Sequence, residues 1–130
     1  MKTIIFTAAI VGLGLSAGTS AWALPDGEAL FKGRCSACHQ VTGKGIPPAF
    51  PALAGDPFVL TAKDDAIVKT VLQGRGGMPS FAASTDDDTI AAILTYVRSA
   101  WGNKAPKVKT ETVARIRKEI KAASGNPVHN

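Results

Sequence analysis

Apolar residues recur at helical spacing in four stretches of the chain, and nowhere do they alternate cleanly enough to mark a strand. The first, "PDGEALFKGRC", reads as a short helix: Pro25 and Asp26 suit its start, Glu28 suits the positive end of the dipole, and Leu30, Phe31 and Arg34 lie on neighbouring turns. The second, "TAKDDAIVKTVLQG", repeats Ile67, Val68, Val71 and Leu72 and places Gly74 at its C′ position. The third, "TDDDTIAAILTYVRSAWGN", has the clearest stripe, in Ile90, Ile93, Leu94, Val97 and Trp101. Thr85 with Asp88 makes a near capping box for it, and Gly102 is expected to close it. The fourth, "TETVARIRKEIKAASG", sets Val113, Ile116 and Ile120 on one face.

Two irregular segments separate these elements. "QVTGKGIPPAFPALAGDPFVL" holds four prolines and three glycines, which rules out a continuous helix and leaves no strand alternation. "RGGMPSFAAS" is a second loop. Short helices joined by loops of this length bury little apolar surface alone, so the loops are expected to wrap around something. The fold class is therefore all-α, with a missing central component.

The N-terminus stands apart from this pattern. Lys2 precedes the apolar run "IIFTAAIVGLGL", and "AWA" at Ala21–Ala23 offers small residues where a signal peptidase cuts. A membrane span needs roughly 20 apolar residues, and Gly, Ser and Thr interrupt this run early. Residues 1–23 are therefore read as a cleaved signal peptide that delivers the chain to the periplasm, without a stable membrane anchor. Charge divides the remainder: residues 24–103 carry seven Lys/Arg against eight Asp/Glu, and residues 104–130 carry seven against two. The excess charge thus belongs to a basic C-terminal extension, and an exported chain of this kind is not expected to bind nucleic acid.

The stretch "GRCSACHQ" concentrates the chemistry: Cys35 and Cys38 are the chain's only cysteines, and His39 follows at once. A thioredoxin-like dithiol needs a βαβ framework that the pattern lacks. A structural zinc site needs four ligands, and only the near-terminal His129 remains to add to these. Covalent haem attachment fits best. Two-residue spacing lets both thiols reach the two vinyl groups on one porphyrin edge, and the adjacent histidine then meets the iron from one face. After removal of the leader Met78 is the only methionine, set in "GRGGMPSF", where glycines permit close approach to a flat cofactor. It is the expected second iron ligand, although a lone methionine also serves as core filler. The acidic run Asp86–Asp88 is read as capping, Trp101 as a core anchor at the end of its helix, and His129 as a tail residue.

With these motifs the sequence resembles the class I cytochromes c over nearly all of residues 25–103. Gly27 and Phe31 match the family's Gly-x-x-x-aromatic spacing ahead of C-x-x-C-H, which implies contact with a later helix at Ile93 and Tyr96. "PALAG" resembles the segment whose proline carbonyl accepts the histidine's hydrogen bond, which gives Pro51 that role and places Leu53 against the porphyrin. "FPALAG", "GMPSFA" and "AAILTYVRSAWGN" are similar to small bacterial cytochromes that accept electrons from periplasmic dehydrogenases. The resemblance implies a cytochrome c fold around one covalently attached haem c, over residues 24–103. Residues 104–130 would form a helical extension. Arg75, beside the methionine loop, is the candidate contact for the haem propionates.

Two strong axial ligands leave no open coordination site, so the expected function is one-electron transfer and not catalysis. The donor would be a periplasmic dehydrogenase and the acceptor an oxidase or another cytochrome. Two alternatives remain: a fixed cytochrome subunit of a dehydrogenase complex, and a haem enzyme or gas sensor such as a peroxidase. The latter needs a vacant iron position and a distal acid–base residue. For the extension, packing through Val113, Ile116 and Ile120 is expected, with Arg115, Arg117, Lys118 and Lys121 solvated. The rival reading has this basic face steering the protein onto an acidic partner.

Overall fold

Helix-starting carboxylates organise the chain. The computed structural model describes residues 24–125; the leader reading and His129 lie outside them. The described residues form six helices and no strand: α1 Gly27–Arg34, α2 Ser36–His39, α3 Pro57–Thr61, α4 Asp64–Gln73, α5 Asp87–Val97 and α6 Thr110–Ser124. Asp26 caps α1 by accepting from the amides of Glu28 and Ala29 at 3.0 and 3.3 Å. Asp56 caps α3 through Val59 N–H at 3.0 Å, with Pro57 in the first turn.

Two of these helices depart from the sequence expectation. Pro57–Thr61 lies in the stretch read as irregular, because an Asp-Pro start seeds a turn too short for periodicity to register. Ser36–His39 is a single turn with the same invisibility. The start of α5 also differs. Its cap is Asp86, whose carboxylate accepts from both the amide and the hydroxyl of Thr89 at 2.8 Å, and not Thr85 with Asp88. Those hydrogen bonds hold the Asp86 carboxyl below the usual carboxylate range. The helix stops at Val97, before Gly102; Trp101 lies beyond it with φ 53°, so it leaves the helical stripe.

Helix α5 is the central element, with different faces in two apolar clusters. Ile90, Ala91 and Leu94 join Ile67, Val68 and Leu72 of α4 and Val108, Val113 and Ile116 from the basic extension. Ile93 and Val97 join Phe31 and Val59, with Leu30, Cys35, Leu53, Tyr96 and Trp101 at the edge. Gly27 lets α1 approach closely: a Cβ there would lie 2.3 Å from the carbonyl oxygen of Ala92 and 3.0 Å from Cβ of Tyr96. The Phe31 ring then packs tilted against Tyr96, with centroids 5.5 Å apart, and edge-on against Trp101 at 5.2 Å. The expected helix contact is present, made by Gly27 on Ala92 and Tyr96, while Ile93 meets Phe31.

The extension packs as expected, adding Val108, Val113 and Ile116 to the first cluster. Val113 and Ile116 have no exposure, each burial contributing about 1.5–3 kcal/mol. Arg115 is half-exposed to solvent, as expected, but both arginines are paired, and Arg117 is partly buried. Arg115 reaches Asp65 at 2.6 Å and Glu119 at 2.8 Å, and Arg117 reaches Asp87 at 2.7 Å. Surface pairs of the Arg115 kind contribute about 0–1 kcal/mol, so the apolar face holds α6 in place.

Candidate functional site

Helix α1 delivers the two cysteines onto one turn. Cys35 N–H donates to Phe31 O at 2.9 Å, ending α1, and Cys38 and His39 N–H both donate back to Cys35 O, at 3.2 and 3.0 Å. Residues three and four apart share a helical face, so Cys35, Cys38 and His39 point to a common side. Both thiols are free and half-buried. Burial pushes the Cys35 thiol up to about 11, with neighbouring Arg34 opposing.

The chain then reverses so that the loop supports His39 from below. Gln40 takes φ 59° and Gly43 φ 66°. The Trp101 ring fills the space where a Gly43 side chain would stand, 2.5 Å from the Cβ position, and its Nε1 donates to Val41 O at 3.0 Å. Gly43 O accepts from Leu53 and Ala54 N–H at 2.7 and 3.0 Å, closing the loop. This brings Pro51 O to 2.9 Å from His39 Nδ1. A carbonyl only accepts, so Nδ1 carries the proton and Nε2 keeps its lone pair for a metal. Leu53 joins Cys35 at the edge of the second cluster.

Met78 lies on the loop between α4 and α5. Arg75 and Met78 exchange backbone hydrogen bonds of 3.1 and 3.0 Å, forming a tight turn that leaves Met78 half-buried and Arg75 exposed. Gly74, at φ 77°, has no room for a side chain: a Cβ would stand 2.5 Å from Met78 O. The Arg75 guanidinium lies 5.7 Å from the centroid of the Phe58 ring. The structure thus joins Cys35, Cys38 and His39 on one turn, Pro51 to His39, and Arg75 to Met78, and sets Leu53 and Cys35 at the edge of one cluster.

Three buried polar residues support the site, and the sequence reading missed their roles. Asn103 accepts from Gly55 N–H at 2.8 Å and donates to Leu53 O and Val97 O at 3.1 and 2.8 Å, fastening the Pro51–Leu53 segment to the end of α5. Arg98, 2 % exposed, donates to Val59 O, Ala62 O and Asp64, holding α3 against α5. Thr85 is also buried, with Arg34 Nη1 at 3.5 Å from its hydroxyl. An isolated Asn after a glycine and one Arg among apolar helix positions were the available signals.

Among the described residues, no three His, Cys, Asp or Glu side chains are grouped to hold a bare metal ion. Of two surface cavities, one of about 320 Å³ lies at the start of α1 and one of about 410 Å³ lies between α6, Leu72 of α4 and Ala82–Ala83 of the Met78 loop. Paired free thiols beside an imidazole with its outer nitrogen free suit a porphyrin bound through its edge and its iron.

The family model described as cytochrome c oxidase, cbb3-type, subunit III matches residues 23–97. The chain belongs to the c-type cytochromes. These are electron-transfer proteins, and its cofactor is covalently bound haem c. Cytochrome c-552 of Thermus thermophilus is 37% identical over 101 residues, covering 66% of this chain and 67% of that protein. Cytochrome c6 of Microcystis aeruginosa is 35% identical over 74 residues, covering 55% of this chain and 90% of the relative. The cytochrome c subunit of a quinone-dependent alcohol dehydrogenase from Gluconacetobacter polyoxogenes is 31% identical over 103 residues, or 71% of this cytochrome. The cytochrome spans only 22% of the length of that subunit.

Proposed function

We propose that this cytochrome carries single electrons in the periplasm from a dehydrogenase to an oxidase or another cytochrome. Cys35 and Cys38 would hold the haem through thioether bonds, and His39 Nε2 and Met78 Sδ would ligate its iron. The observation that carries this reading is the 2.9 Å contact of His39 Nδ1 with Pro51 O, which fixes the tautomer a metal ligand needs. The bound haem supplies a one-electron couple. The protein's part is to keep both ligands in place in either oxidation state and to exclude water, so little rearrangement accompanies electron transfer. Thioether ligation and apolar neighbours such as Leu53 raise the potential by disfavouring ferric iron. Arg75, exposed beside the ligand turn, is assigned to the propionates.

The likeness to a dehydrogenase cytochrome subunit supports a dehydrogenase as donor, and no described helix is long and apolar enough to cross a membrane. The N-terminal sequence pattern supports export. Met78→Ala tests the ligand assignment: haem should stay attached, the potential should fall, and the weak far-red band of ferric thioether ligation should vanish. A wild-type protein that lacks this band and binds carbon monoxide readily would exclude Met78 and favour haem catalysis or sensing.

A further inference from the structure

Helix α6 lies beyond the residues matched by the family model, yet one of its side chains is fastened to the loop that carries Met78. That loop runs from Gly74 to the start of α5. Its upstream half is held by α4: Ser80 Oγ donates to Leu72 O at 2.5 Å, and Phe81 N–H donates to Val71 O at 3.1 Å. The downstream half has local turn bonds from Ser84 and Thr85 to Phe81 O, at 3.3 and 3.1 Å. Asp86 O accepts from Ile90 N–H of α5 at 3.1 Å and Arg34 Nη1 lies 3.5 Å from the Thr85 hydroxyl, while the carbonyls of Ala82 and Thr85 are both held by Arg117. Nη1 donates to Ala82 O, Nη2 to Thr85 O at 2.7 Å, and Nε to Asp87 Oδ1 at 2.7 Å. The side chain is 24% exposed, so these charge-assisted bonds are only partly screened. A guanidinium holds its donors in a rigid, spread planar fork, whereas an ammonium gathers its three donors on one atom at the end of a flexible stem.

We propose that Arg117 is a positioning residue for the iron site: it clamps the Ala82–Asp87 end of the Met78 loop and so resists withdrawal of Met78 from the iron. This rests on Met78 being the axial ligand. The basic helix then has a task inside the molecule, keeping the sixth coordination position closed to outside ligands.

Imidazole binding to the ferric holoprotein reads this clamp, because the incoming ligand must displace Met78 and move its loop. Arg117→Gln should keep the far-red thioether band yet bind imidazole on the order of ten- to hundredfold faster, the scale expected for lost charge-assisted hydrogen bonds. Arg117→Lys should fall between it and wild type. Two controls separate clamping from general weakening: Arg115→Gln, on the same helix, and Ile116→Val, in the core under it, should both bind at the wild-type rate. Wild-type kinetics in Arg117→Gln with the band intact would overturn the clamp. Equal acceleration by Ile116→Val would also overturn it, by showing that only overall stability matters. A wild-type protein without the band would remove the ligand reading beneath it, a result distinct from either.

Discussion

Gly27→Ala tests the contact that sets α1, and with it Cys35 and Cys38, against α5. The new methyl group would lie 2.3 Å from the carbonyl oxygen of Ala92, 2.9 Å from its carbon and 3.0 Å from Cβ of Tyr96. The first two are backbone atoms inside a helix and cannot rotate away, so α1 must shift. Overpacking of this kind costs about 1–3 kcal/mol. Alanine recovers at most about 1 kcal/mol of helix propensity in a helix interior, and less at Gly27, the first residue of α1. The net loss is about 1–2 kcal/mol, which for a domain of this size lowers Tm by roughly 5–15 °C. Gly33, on the same helix, has nothing within 4 Å of its Cβ position. Gly33→Ala should therefore raise Tm by a few degrees, from a gain of up to about 0.5–1 kcal/mol. Far-UV circular dichroism melts of the ferric holoproteins give both signs. If Gly27→Ala melts at or above wild type, the close approach of α1 and α5 is wrong.

Asp64→Ala should destabilise by roughly 1–3 kcal/mol, measured by denaturant titration, because it removes the charged acceptor of the buried Arg98 guanidinium. Asp86→Ala should cost about 1 kcal/mol at neutral pH. The folded Asp86 carboxyl is held below its ordinary value of 3.8, so its contribution is present above that value. The contribution is lost as pH falls through the lowered folded value, and the gap between variant and wild type should close under acid. Lys118 and Lys121 are exposed and outside the ion pairs of α6. Their joint replacement by glutamine should leave Tm unchanged, surface changes of this kind lying within about 0.5 kcal/mol. Slower reduction by the donor at low salt, with a shallower salt dependence, marks steering; identical kinetics across ionic strength rule it out.

The C-x-x-C-H turn, the glycine-flanked methionine and the long amphipathic helices were legible in the sequence because each has a local signature. Val113, Ile116 and Ile120 announced α6, and Gly27 with Phe31 announced the contact of α1 with α5. The supporting contacts were not legible, because their partners are distant in sequence. Asn103 and Leu53 are fifty positions apart, as Arg117 and Ala82 are thirty-five apart, and no periodicity links them. Charge counting misled for the same reason. Arg117 read as solvated until folding brought Asp87 and the carbonyls of Ala82 and Thr85 around it, and the half-exposed Arg115 read as unpaired until folding brought Asp65 beside it. The two shortest helices escaped because four or five residues hold too little pattern to distinguish a turn from a loop.

The most direct test of haem attachment is the mass of the purified protein after acid–organic extraction, read with its reduced spectrum. One haem should remain with the polypeptide, giving a c-type spectrum, and replacing both Cys35 and Cys38 by alanine should abolish retention. Haem that extracts freely from the wild-type protein, or stoichiometric zinc in its place, would contradict attachment through these two thiols.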